Sequence, residues 1–125
     1  MQKLPVFIAQ ADPKLGSEFA AKLQTHFRDI HVLKGLPELR GTLAQQKPYA
    51  HIVDLELIGV EELREICRSC PQTVVVSTHR VADEEMWVAS LAAGAVDCCG
   101  ATDFTSLLRA ISRARMAELT RARVA

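Results

Sequence analysis

"YAHIVDLEL", residues 49–57, is the stretch whose reading decides the fold. Its apolar residues run almost without interruption, the pattern of a strand buried on both faces rather than on one. One aspartate, Asp54, closes the run. An unpartnered buried carboxylate is costly, so either the strand emerges into a crevice at Asp54 or a positive group meets it inside. Working outward, the same kind of run recurs between segments of helical period. "LPVFIAQ" is followed by 13–26, "DIHVLKG" by 37–46, "YAHIVDL" by 60–69, "QTVVVST" by 83–93 and "AVDCCG" by 103–118. This (βα)5 order predicts a doubly wound three-layer α/β sandwich, with a five-stranded parallel sheet covered on both faces.

Helix punctuation agrees. Pro13 follows Asp12, Pro37 follows Leu36, and Asp83 and Asp103 are natural N-caps. The third helix carries a stripe of Leu63, Ile66, Cys67 and Cys70, and the fifth a stripe of Phe104, Leu107, Leu108 and Ile111, both spaced for packing on the sheet. On the fourth helix Val88 and Leu91 are the expected core contacts. The chain is 125 residues long, the size of one domain with a full core, read as 1–118 followed by a basic tail over 119–125 that includes Arg121 and Arg123. That tail reads as a solvated end or as the stub of a linker.

Charge narrows the function classes. Lys plus Arg and Asp plus Glu are equal at 15 each, so the overall field recruits neither nucleic acid nor an anionic membrane. No apolar run reaches the roughly 18 residues of a membrane span, and the apolar part of the N-terminus is too short for a signal peptide. A soluble cytoplasmic protein with reduced thiols is expected.

In an open parallel sheet, ligands collect outside the carboxyl ends of the strands, near the reversal of winding. Three of those ends carry polar groups: Gln10 and Asp12, Asp54, and Ser77 to Arg80. With "HIVDLEL" at the third strand, "VVVST" at the fourth and "LAAGAVDCCGATDF" leading into the last helix, the whole chain resembles a response-regulator receiver domain of two-component signalling. The resemblance implies that Asp54 stands at the phosphoacceptor position, that Glu56 lends its backbone carbonyl to Mg²⁺, and that Thr78 is the switch hydroxyl. It also implies docking or homodimerisation through the fourth helix, fifth strand and fifth helix, where Trp87, Arg109 and Arg113 lie. The implied partners are a histidine kinase or a downstream effector.

The departures from the pattern are specific. Receivers carry two adjacent acids after the first strand; here Gln10 and Ala11 stand in those places. Asp12 falls one residue late, an N-cap that a slip of one position would turn into a single remaining metal ligand. Ala101 and Thr102 stand where the strand-five lysine and proline belong, and Cys98 near the place of the coupling aromatic. Phosphoryl transfer to a carboxylate is mostly positioning and charge neutralisation, so little Mg²⁺ binding and slow or absent phosphotransfer are expected. Arg80 or Lys14 is the candidate substitute cation at Asp54, the alternative being that both point to solvent.

Other constellations are weaker. Cys67 and Cys70 close a helix instead of opening one, and adjacent Cys98 and Cys99 point to opposite faces of a strand, which disfavours redox and zinc chemistry. The four histidines have no metal spacing, there is no nucleophile elbow, and no glycine cluster follows the first strand. Three readings stay open: an atypical receiver-like domain that acts through protein partners and is no enzyme beyond self-phosphorylation at Asp54; a working phosphoacceptor with substitute cations; and a flavodoxin-like small-ligand binder or enzyme.

Overall fold

A computed structural model describes residues 4–124, with side chains through residue 117. Strands and helices alternate: β1 Val6–Ala9, α1 Pro13–Leu23, β2 Ile30–Leu33, α2 Leu36–Gln45, β3 Ala50–Asp54, α3 Leu55–Ser69, β4 Val74–His79, α4 Glu84–Ala93, β5 Asp97–Gly100 and α5 Phe104–Val124. All strand pairs are parallel in the order β2-β1-β3-β4-β5, so the winding reverses between β1 and β3. This is the predicted doubly wound sandwich. The backbone of α5 passes residue 118 without a break, and the side chains of Arg121 and Arg123 lie outside the described residues.

Strand alternation sorts the core into two layers. Val6, Ile8, Ile52 and Val76 pack with Phe19 and Leu23 of α1 and Leu107 and Ile111 of α5. Phe7, Val53 and Val75 pack with Leu39 of α2 and with Leu63 and Ile66 of α3. Cys98 joins the second layer and Cys99 the first, as opposite-facing neighbours on a strand must.

His51 is the anomaly in this core. It is fully buried on β3, edge-on to Phe7 at 5.8 Å between ring centroids, and neither ring nitrogen has a hydrogen-bond partner. Burial pushes the imidazole down to about 3, so His51 is neutral and behaves as an aromatic packing residue.

Two helices depart from expectation. Where 60–69 was predicted, α3 begins at Leu55, directly after β3, because the Asp54 carboxylate caps it by accepting the Glu56 N–H. Gly59, at φ 75°, then breaks the helix before the predicted segment resumes. In α4 the buried residues are Ser90 and Ala93, while Val88 is 53% exposed and Leu91 half-buried. The expected Val88 and Leu91 core is therefore corrected. The cap at Asp83 and a 2.7 Å hydrogen bond between the buried hydroxyls of Ser77 and Ser90 set the phase of this helix instead.

Candidate functional site

Register brings the three polar strand ends to one level. Ala9 pairs with Val53 and Asp54 with Thr78, so Gln10, one residue past β1, falls level with both. Ile8, Ile52 and Val76 face the α1 and α5 layer, and the residues two further on, Gln10, Asp54 and Thr78, point the same way. All three are buried, at 5%, 4% and 0% exposed.

Asp54 is held by backbone. One carboxylate oxygen accepts the Ala11 N–H at 3.0 Å and the other the Glu56 N–H at 3.0 Å. Among the described residues no basic nitrogen lies within salt-bridge reach of it. Arg80, expected as a substitute cation there, pairs with Glu56 instead: its Nε donates to both Glu56 carboxylate oxygens at 3.1 and 2.9 Å, and its backbone N–H adds a third bond at 3.0 Å. That N–H, with the guanidinium beside it, holds the Glu56 carboxyl below the usual carboxylate range. The reason is reach. Arg80 opens the exposed loop after β4, and the first turn of α3 presents Glu56 to that loop before Asp54. Lys14 makes no ion pair with Asp54 either; its backbone N–H donates to Asp12.

The residues present do not fit the divalent-metal site that the resemblance implies. Asp12, the one candidate to replace the missing acids, is exposed and caps α1 by accepting the Lys14 N–H at 2.9 Å. At Ala11 a backbone N–H, which repels a cation, is aimed at Asp54. Gln10 offers a neutral amide, and its Nε2 donates to Thr78 Oγ1 at 2.9 Å. A hard, strongly hydrated cation finds a single carboxylate. Among the described residues no group of three or more His, Cys, Asp or Glu side chains is placed to hold a metal.

The cysteines carry no site. All four are free thiols; burial pushes Cys67 up to about 11 and Cys99 up to about 12, the reverse of an activated thiolate.

A second constellation lies on the face made by α4, β5 and α5. Asp97 organises it, accepting the Trp87 indole N–H at 3.0 Å on one oxygen and Arg113 at 3.3 Å on the other. Trp87 is nonetheless 45% exposed, and Val88 and Val96 are exposed beside it. A groove of about 490 Å³ runs between Trp87, Val96, Asp97 and Arg113. Arg109 lies outside this constellation, one turn before Arg113 and near Asp103. Sequence reading singled out Trp87 and Arg113 but missed Asp97, because an aspartate opening a short strand carries no pattern of its own. It also missed the Gln10–Thr78 bond, for which the only signal was an amide standing in the place of an acid. Among the described residues, no helix is long and apolar enough to cross a membrane.

No protein-family model matches the chain. No curated protein matches it either. Solved structures do. A response regulator receiver domain protein from Methanospirillum hungatei is 17% identical with a TM-score of 0.83, over 96% of this chain and 99% of that one. A response regulator from Burkholderia pseudomallei, described with a phosphorylated aspartic acid, calcium ion and citrate, is 16% identical with a TM-score of 0.78, over 95% and 75%. The response regulator DrrB of Thermotoga maritima is 19% identical with a TM-score of 0.81, over 94% of this chain and 54% of that one. At these identities the likeness is one of fold: the chain has the fold of receiver domains.

Proposed function

We propose that the chain is an atypical receiver-like module of two-component signalling, which works mainly by binding other signalling proteins and in which Mg²⁺-dependent phosphorylation of Asp54 is impaired. One observation carries the reading. The fold and the strand register around Asp54 and Thr78 are those a receiver needs, while every group that would neutralise a transferring phosphoryl is replaced: Gln10 and Ala11 for the acids, Ala101 for the lysine. Transfer of a multiply charged phosphoryl to a carboxylate depends on such neutralisation, so what remains is geometry without electrostatic drive.

The output surface is then the α4–β5–α5 face, where Trp87 and Arg113 are fixed by Asp97 and apolar side chains stand in solvent. Tryptophan and arginine are the residue types that most often dominate binding energy. The partner is a histidine kinase, a downstream effector or a second copy of this chain. Incubation with Mg²⁺ and a small phosphodonor, read by intact mass, tests the first half of the reading: the unmodified mass should persist. Rapid stoichiometric addition of one phosphoryl at Asp54 would restore the reading of a working phosphoacceptor. For the second half, Trp87→Ala should abolish capture of a partner that the native chain retains.

A further inference from the structure

Among the described residues that line the crevice, Gln10 has a buried amide whose hydrogen bonding is incomplete. Its Nε2 donates to Thr78, and its Oε1 is buried with no partner. Native interiors rarely leave such an atom unsatisfied, and the bond to Thr78 is what fixes the orientation of the amide. The bond is also long-range in an unusual sense. β1 and β4 are not neighbours, since β3 lies between them, which puts Gln10 and Thr78 two strand spacings apart, about 10 Å between backbones. The link therefore spans β3 at the level of Asp54 and joins the ends of β1 and β4.

What lies immediately beyond Thr78 gives the link its consequence. His79 ends β4, and the exposed residues 80–82 lead to the Asp83 cap of α4. Two backbone donors of this segment are tied to side chains: Arg80 N–H to Glu56 at 3.0 Å, and Val81 N–H to His79 Nδ1 at 3.0 Å. On the opposite face of β4, Ser77 is bonded to Ser90 of α4. The segment that carries α4 is thus anchored at both of its last inward-facing strand residues, and the Thr78 anchor reaches back to β1 without passing through the Asp54 carboxylate.

We propose that Gln10 and Thr78 form a metal-free latch that holds the β4–α4 segment in one conformation irrespective of the state of Asp54. Its consequence at the partner face rests on the receiver-like reading given above; the latch itself does not. Gln10 is a positioning residue: it acts on the segment through Thr78.

The test uses shape-conserving substitutions in the full chain. Gln10→Met keeps the length of the side chain and removes the amide, and Thr78→Val keeps the shape and removes the hydroxyl. Hydrogen exchange of the Arg80 and Val81 amides is measured in the native chain, in each variant and in the double variant. Each single change should speed exchange by about tenfold, the size of one neutral hydrogen bond. The double variant should be no faster than either single one, because the same link is lost. Unchanged exchange in both singles, or accelerations that multiply in the double, overturns the latch. If Thr78→Val does not fold, unchanged exchange in Gln10→Met alone overturns it. These outcomes are read in the isolated chain, so failure of the native chain to capture any partner, with the exchange results as expected, counts against the receiver-like reading and not against the latch.

Discussion

The crevice at the carboxyl end of the sheet and the α4–β5–α5 face use their polar groups in opposite ways. In the crevice the carboxylates and the Thr78 hydroxyl are engaged internally, Asp54 by two backbone N–H groups, Thr78 by Gln10 and Glu56 by Arg80, and Gln10 Oε1 is left without a partner. On the outer face a single carboxylate, Asp97, orients a tryptophan and an arginine that remain open to solvent. On the proposed reading, the difference puts the chain's capacity to bind a partner on the outer face. A site whose groups already satisfy one another gains little from a ligand, whereas a fixed, half-exposed tryptophan has apolar area still to bury.

The strongest way to break the comparison is acid, which acts on the core of β3 at His51, on the sheet face opposite the crevice. His51 titrates at about 3 in the fold against about 6.5 when unfolded. Since the folded value is the lower one, the unfolded chain takes up the proton first. The contribution of this group is complete above about pH 6.5, falls as the pH drops toward 3 and levels off below it, a loss on the order of 5 kcal/mol. Urea unfolding across that range should show the decline, and His51→Leu should flatten it; an unchanged slope in the variant would assign the acid sensitivity elsewhere.

Next in size is the helix that joins the two regions. Gly94 ends α4 at φ 115°, and a Cβ there would sit 2.8 Å from Cys67 Cβ. Gly94→Ala meets both left-handed strain and a clash with α3, and should cost about 2 to 3 kcal/mol in denaturant unfolding. Gly59, at φ 75° and ψ 168° in a region essentially reserved for glycine but with open space around its Cβ position, should cost about 1 to 3 kcal/mol on the same substitution, from strain without a clash.

The smallest stability effect sharpens the comparison most. Asp97→Ala releases Trp87 and Arg113 at a cost of about 1 kcal/mol: the Arg113 end of the pair is exposed and contributes little, and the main loss is the acceptor for the Trp87 and Cys98 N–H groups. The fluorescence of Trp87, the single tryptophan, should shift to longer wavelength as the indole loses its anchor. Unchanged emission would show that Asp97 does not fix the ring.

Much of this was legible in the sequence, for reasons that differ by element. The central strands β1, β3 and β4 were readable because burial on both faces makes them nearly pure apolar runs, and "VDLEL" marked where the third one emerges. Helix α3 was readable beyond Gly59 because its stripe is one-sided; its first turn was hidden because Asp54 serves at once as strand end and helix cap. Helix α4 misled because apolar residues surround it, leaving no preferred face, and a serine pair set its phase. At the site, the missing acids and lysine were visible as identities. Where Arg80 turns was not, since a long side chain on a loop chooses its partner by reach. The Gln10–Thr78 bond depends on register between strands 68 residues apart, which no local pattern encodes.

The central claim is that Asp54 lacks the charges that would draw a metal and a phosphoryl group to it. A titration with Mg²⁺ and beryllofluoride, following the amide resonances of Ala11 and Glu56, reads this at the two donors that hold the carboxylate. In the native chain both resonances should stay where they are, and they should move once the acids are supplied by Q10D/A11D. Saturable, Mg²⁺-dependent shifts at both amides of the native chain would contradict the account.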